Sequence, residues 1–268
     1  MSSRDKTGRI RVGIGGWSYE PWRETFYPDD LPKKSELSYA SRQVTAIEIN
    51  STFYRLQTPE VYAKWRDQTP DDFVFTIKAP RHISHQRELE RTAKAIERFV
   101  NSGLTELGTK LGPIMWQLSP THGFHSDEIE KFFQFLPRTL GILPLRHALE
   151  IRHGSFLCSE YVALARRYGI ATVLTQSPEY PCVTDVTGDF VYLRLRQAVA
   201  SEPKGYSLPA LRTWAERAKA WASGGEPSDL PKLTENPATP APRNVFVFFI
   251  NGAKERAPAA ARGLLAML

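Results

Sequence analysis

Four short runs carry charged or polar side chains two residues apart, with apolar residues between them. They are "AIEINSTFYR" with Glu48 and Asn50, "FTIKAPR" with Thr76 and Lys78, "LEIRHG" with Glu150 and Arg152, and "FVYLRLR" with Tyr192, Arg194 and Arg196. Side chains two apart on a strand share a face, so each run has one packed face and one polar face. Gln117 and Asn251, near the ends of two further strand-like runs, join the set. Guanidinium forks hold oxyanions in a bidentate geometry, and a carboxylate, a lysine or a histidine can move protons. The chemistry suggested is capture of an anionic group with acid–base help from Glu48, Lys78, His85 and Glu150.

Such residues can meet only if their strands lie side by side. Strand-like runs fall at 11–17, 46–50, 73–79, 113–118, 147–152, 171–176, 190–196 and 245–251. Between them lie stretches with apolar residues three or four apart, such as Ile129, Phe132, Phe133 and Leu136, or Leu211, Trp214, Ala218 and Trp221. Alternation of strand and helix over eight units predicts a closed parallel (β/α)8 TIM-type barrel, a single domain spanning 1–268. The run "SPEYPCVTDVTGD" between the sixth and seventh strands lacks helical periodicity, so the sixth helix is expected to be degenerate. The Pro-rich segment 225–244 should form a loop on the bottom face, remote from chemistry.

In such a barrel outward residues pack under helices, whereas inward residues near the C-terminal strand ends line the mouth. That places Glu48, Asn50, Thr76, Lys78, Gln117, Glu150, Arg152, Tyr192, Arg194, Arg196 and Asn251 together, with cations in excess. Buried charge needs partners, and surplus cations call for an anion.

Composition limits the alternatives. The 268 residues carry a formal charge of +6, which fits an anionic small molecule or nucleic acid as partner. Two cysteines far apart indicate neither a disulfide framework nor a structural zinc site, and a reducing cytoplasmic setting fits them. The opening "MSSRDKTGRIRV" shows no apolar leader, the longest apolar run is too short to cross a bilayer, and no protein partner is legible. "GIGGWS" superficially resembles a dinucleotide loop, but Ser18 stands at the third glycine position and "YEPW" is not expected to open a helix. Its glycines should instead leave room inside the barrel beneath Trp17. The pairs His82/His85 and His122/His125, with His153, fall on loops at the expected mouth; a divalent metal there is an open alternative that is not favoured.

The runs "VGIGGWSYEPWRETFYPDDLP", "AIEINSTFYRLQTPE", "FTIKAPRHISH", "LEIRHGSF" and "FVYLRLR" are together similar to the YecE-like family, domain of unknown function 72. The resemblance implies a TIM-barrel fold with a shared polar mouth and no established reaction. Its pattern falls on Trp17, Tyr19, Trp22, Glu48, Asn50, Ser51, Thr52, Phe53, Tyr54, Lys78, Pro80, His85, Glu150, Arg152 and His153. Two departures stand out. Gly154 and Phe156 replace a Pro and a Trp, and "FINGAKE" keeps only Asn251 of an Asn-Asn-Asp run, which would weaken a metal held by that Asp.

Three functions compete. The leading one is an enzyme for a phosphorylated substrate (nucleic acid, nucleotide or sugar phosphate), with phosphoester hydrolysis as one reaction. Arg152, Arg194 and Arg196 would clamp phosphate, Trp17, Tyr19, Tyr54 and His153 would contact the rest, and Lys78 or His85 would handle protons. The second is a non-catalytic nucleic-acid-binding module with Trp17, Tyr19, Trp22, Phe53 and Tyr54 as stacking surfaces. The third is a sugar-directed acid–base enzyme using Glu48 and Glu150, disfavoured because neighbouring cations would keep both ionised.

Overall fold

The structure, a computed structural model, describes residues 7–268; residues 1–6, which belong to the opening read above for an apolar leader and to the expected 1–268 domain, lie outside them. Eight strands close a parallel barrel: β1 (Ile10–Gly15), β2 (Ala46–Ile49), β3 (Val74–Lys78), β4 (Leu111–Gln117), β5 (His147–Glu150), β6 (Ala171–Gln176), β7 (Phe190–Leu195) and β8 (Asn244–Phe249). Each pairs with its neighbour in chain order and β1 pairs with β8. Several strands stop one or two residues short of the expected C-terminal limits because the chain turns at the mouth.

Alternation sorts the barrel wall as expected. Val191, Leu193 and Leu195 on β7 face outward into the main core, as do Phe75 and Ile77 on β3. Inside, Phe190, Tyr192, Phe246, Phe248, Met115, Ala148 and Val173 form a second, enclosed apolar cluster. Two glycines on β1 make this filling possible. A Cβ on Gly13 would sit 2.0 Å from the Ala46 carbonyl oxygen and 3.0 Å from the Phe248 ring, and one on Gly15 would sit 2.7 Å from Ile250 Cδ1. Both glycines therefore make room inside the barrel. Trp17 does not lie above them: Gly16, at φ 75°, turns the chain, and Trp17 packs on the outer side against Trp65 (5.2 Å between centroids) and Phe75 (6.4 Å).

The connection from β1 to β2 holds helices the periodicity does not reveal, Trp22–Thr25 and Glu36–Ala40. The first corrects the expectation that "YEPW" opens no helix, but it is a single turn starting after Pro21, far from a phosphate cradle. Pro21, Pro28 and Pro32 interrupt any longer helical pattern there. Helices Pro59–Asp67, Ala93–Val100, Ser126–Phe135, Ser159–Tyr168, Leu208–Ala222 and Ala257–Leu265 cover the remaining strands. A small hairpin, Thr139–Leu140 with Leu143–Pro144, precedes β5 and was not anticipated.

Between β6 and β7 no helix forms, as expected. The Pro-rich segment takes part in filling that gap. Asp185 is buried and its carboxylate accepts hydrogen bonds from Leu233 N (2.8 Å), Thr234 N (3.2 Å) and Thr234 Oγ1 (2.7 Å), while Lys232 Nζ donates to the Thr184 carbonyl (2.7 Å). Asp185→Ala should therefore lower the unfolding free energy by about 2–3 kcal/mol, because two backbone donors lose a charged acceptor. Urea denaturation would check this, and a change below about 0.5 kcal/mol would show the loop to be loosely attached.

Candidate functional site

The polar layer sits above the apolar filling, at the C-terminal ends of β2, β3, β4, β5 and β7. Arg194 lies at its centre, buried, with Nη2 donating to Glu48 Oε1 at 3.0 Å and Nη1 donating to Glu150 Oε2. Tyr192 gives its hydroxyl proton to Glu48 Oε2 (2.8 Å), so the Thr76 hydroxyl is the donor in its 2.8 Å bond to Tyr192. Glu150 also accepts from Gln117 Nε2 (3.1 Å) and from Arg152 through both Nε and Nη2 (3.0 Å each). All four carboxylate oxygens are thus engaged.

The charges set one another. Burial alone would raise the Glu150 pKa, but Arg194, then Arg152 and Lys78, overcome it and hold the carboxyl down at about 2. Burial opposes the charge on Arg194 as well, yet Glu150 and Glu48 keep it protonated beyond the usual arginine range. Burial and the Glu48 carboxylate push the Tyr192 phenol well up. Lys78 goes the other way. Burial first, and Arg194 second, bring its amine down to about 7, against a partial pull upward from Glu48 and Glu150. Among the described residues no carboxylate lies within ion-pair distance of Lys78 Nζ, which rests 3.9 Å from the centroid of the Phe53 ring. His85 meets the other side of this assembly, its ring 5.4 Å from Phe53. Burial, then Arg152 and Lys78, lowers its pKa.

Arg196 lies just past β7, half-buried, 4.0 Å from Glu179, with its Nη1 buried and lacking a hydrogen-bond partner. Nε of Arg194 and the hydroxyl of Thr175 on β6 are in the same condition. Tyr180, in the helix-free connection after β6, lies under both Arg152 (4.3 Å) and Arg196 (4.9 Å). Neither Tyr180 nor Thr175 was anticipated. Tyr180 had one signal, being the aromatic of "SPEYPC" in the loop beside the seventh strand.

The structure thus brings Glu48, Lys78, Glu150, Arg152, Tyr192 and Arg194 together, with Arg196 and His85 beside them. Asn50 stands at the edge, its Nδ2 donating to the Glu48 carbonyl at 3.3 Å. The other expected contacts lie elsewhere. Asn251 is exposed at φ 64°, in a turn beyond β8, and Ile250 takes the inner position. Tyr19 packs on Trp22 and under Lys254 Nζ (4.3 Å). His153 caps the turn Gly154–Phe156, Nδ1 accepting from Ser155 N at 3.2 Å. Tyr54 is 72 % exposed, but Trp22 and Phe53 are buried and Trp17 is packed, so the five aromatics do not form a stacking platform.

A cleft of about 520 Å³ opens beside the mouth, lined by His85, Arg87, His122, His125 and Glu128. His122 Nε2 lies 3.5 Å from Glu128 Oε2. Among the described residues no three or more His, Cys, Asp or Glu side chains are grouped so that they could hold a metal ion. No helix among them is long and apolar enough to cross a membrane.

Known proteins resemble this chain in sequence or in fold. The UPF0759 protein YecE of Escherichia coli K12 is 33 % identical over 147 residues, 55 % of this chain and 50 % of that protein. The UPF0759 protein YunF of Bacillus subtilis 168 is 24 % identical over 55 % of this chain and 52 % of its own length, so the matched region spans about half of each curated relative. Among solved structures, a DUF72 family protein of Thermotoga maritima MSB8 superposes with a TM-score of 0.73 at 22 % identity, covering 97 % of this chain and 98 % of that one. One of Enterococcus faecalis V583 does so with a TM-score of 0.66 at 17 % identity, covering 98 % of each. The family model described as "Protein of unknown function DUF72" matches residues 11–268, and the chain belongs to that family.

Proposed function

We propose that the chain is an enzyme that binds a phosphorylated substrate at the mouth of its barrel. One observation carries this reading: four cations, Lys78, Arg152, Arg194 and Arg196, face two buried carboxylates whose oxygens are all taken and the exposed Glu179 at 4.0 Å from Arg196, and guanidinium N–H groups of Arg194 and Arg196 stay buried without an acceptor. A buried donor without a partner is costly, and a phosphate oxygen would relieve it. The roles differ from those expected of the sequence. Arg194 is held by carboxylates on both sides and serves as the centre of the scaffold, with Glu48 and Glu150 as its counter-charges. Arg196 and Arg152, spread over Tyr180, are the groups available to an incoming anion. Lys78 and His85 are the groups available for proton transfer.

The test is calorimetric titration of nucleotides, sugar phosphates and short single-stranded DNA at two salt concentrations. At least one phosphorylated compound should bind at millimolar concentration or below, more weakly at high salt. Arg196→Ala should weaken that binding by about ten- to a hundredfold, the loss of one charge-assisted hydrogen-bonding fork. Replacing the exposed Lys64 by Ala should change it far less. If no phosphorylated compound binds the unmodified protein, the phosphate reading fails, and a carboxylate or a neutral sugar becomes the better ligand class. DNA binding with a steep salt dependence and no turnover would favour a nucleic-acid-binding module instead.

A further inference from the structure

Glu48 and Glu150 hold Arg152 and Arg194 but not Lys78, and among the described residues no carboxylate lies within ion-pair distance of its Nζ. Glu48 spends its oxygens on Arg194 and Tyr192, and Glu150 spends its own on Arg152, Arg194 and Gln117. The amine therefore sits on an aromatic ring, within the electrostatic reach of Arg194 and Arg152, on a side chain that is buried at the C-terminal end of β3. Burial and the cationic neighbours disfavour the ammonium form, against the attraction of the Phe53 ring face for a cation, and so leave a nitrogen lone pair free to attack. A lysine meant only to attract an anion would be better placed at the rim, hydrated and charged.

We infer that Lys78 is a covalent nucleophile toward a carbonyl carbon, so that the substrate class is a phosphorylated aldehyde or ketone bound as an imine. The inference rests on the phosphate reading for the phosphoryl part only. In the step, the Nζ lone pair bonds to the carbonyl carbon, the carbonyl π pair moves to oxygen, and that oxygen takes up a proton to give a carbinolamine. Nitrogen loses a proton in exchange, and we assign its carriage, directly or through water, to His85, which packs on the same Phe53 ring. The hydroxyl takes up a second proton, which His85 or solvent returns, and departs as water to give the protonated imine. One amine, one carbonyl and one proton become one protonated imine and one water, with no oxidant or reductant. The positive imine is seated above the ionised Glu48 and Glu150, and the phosphate reaches Arg196.

The experiment is reductive trapping of the full chain with sodium cyanoborohydride in the presence of either glyceraldehyde 3-phosphate or unphosphorylated glyceraldehyde, followed by peptide mass mapping. The expected product is one adduct per chain at Lys78 with the phosphorylated aldehyde, formed at least about tenfold faster than at the exposed Lys64. Its rate should rise to half its plateau near pH 7, where the Lys78 amine titrates. Arg196→Ala should slow trapping of the phosphorylated aldehyde far more than that of glyceraldehyde. If both aldehydes label Lys78 equally well and Arg196→Ala affects neither, the imine stands and the phosphate reading falls. If Lys78 in the unmodified protein is labelled no faster than Lys64 by either aldehyde, the inference is overturned.

Discussion

Replacing Arg194 by Met should lower the unfolding free energy by about 3–5 kcal/mol, the largest effect expected of any single change at the mouth. Arg194 is 3 % exposed and donates to two carboxylates that are themselves fully buried. Removing it leaves Glu48 and Glu150 facing each other inside the barrel, with Arg152 on only one side of one of them. Desolvated like charges of this kind cost far more than the lost hydrogen bonds alone. Adding Glu48→Gln and Glu150→Gln to Arg194→Met should therefore recover part of the loss, since neutral amides need no counter-charge. That recovery is non-additive by construction and separates an electrostatic cause from a packing defect. Urea titrations of the single and triple variants, followed by circular dichroism, supply the comparison. An Arg194→Met variant within about 1 kcal/mol of the unmodified protein would mean that the network does not hold the mouth together.

The centre of this site was legible because a barrel interior follows simple alternation. Inner positions on β7 are the even-numbered ones, and both Tyr192 and Arg194 are polar against an apolar odd-numbered face. A polar residue on an inner face has one wet place to go, the mouth, and so Glu48, Lys78 and Glu150 followed by the same rule. What alternation could not give was the chain beyond the last strand residue. Trp17 shares parity with the inner Gly13 and Gly15, but the left-handed turn at Gly16 sends it outward. Asn251 has the wrong parity, since Phe246, Phe248 and Ile250 occupy the inner positions of β8 and its extension. Tyr180 was hidden for the opposite reason: a connection with no period gives no phase from which to place a side chain. Nor does parity say who pairs with whom. Both Glu48 and Glu150 looked like candidates for proton transfer until their oxygens proved to be occupied, a fact of distance rather than of sequence spacing.

Acid should unfold the protein through Glu150. Its carboxyl titrates at about 2 in the folded chain, against 4.5 ordinarily, because Arg194, Arg152 and Lys78 outweigh the burial that would raise it. A pKa depressed on folding adds stability that is complete above the unfolded value and disappears as the pH falls through the folded one. A shift of this size corresponds to roughly 3 kcal/mol. Stability measured in urea should then be flat from neutrality down to about pH 5 and fall steeply from there to pH 2. Glu150→Gln should lower the plateau and flatten the acid limb together, since the amide cannot be protonated in this range. Lys78 contributes a separate rise at higher pH. Its amine releases its proton near 7 when folded but near 10.5 ordinarily, so the unfolded chain binds the extra proton between those values and stability climbs as pH increases above 7. Lys78→Met should remove that climb and only reduce the acid limb, since Arg194 and Arg152, the larger contributors, still hold the Glu150 carboxyl down. If Glu150→Gln keeps the full acid slope, the proton uptake that unfolds the protein belongs to other carboxylates, and the network around Arg194 is not where its acid stability resides.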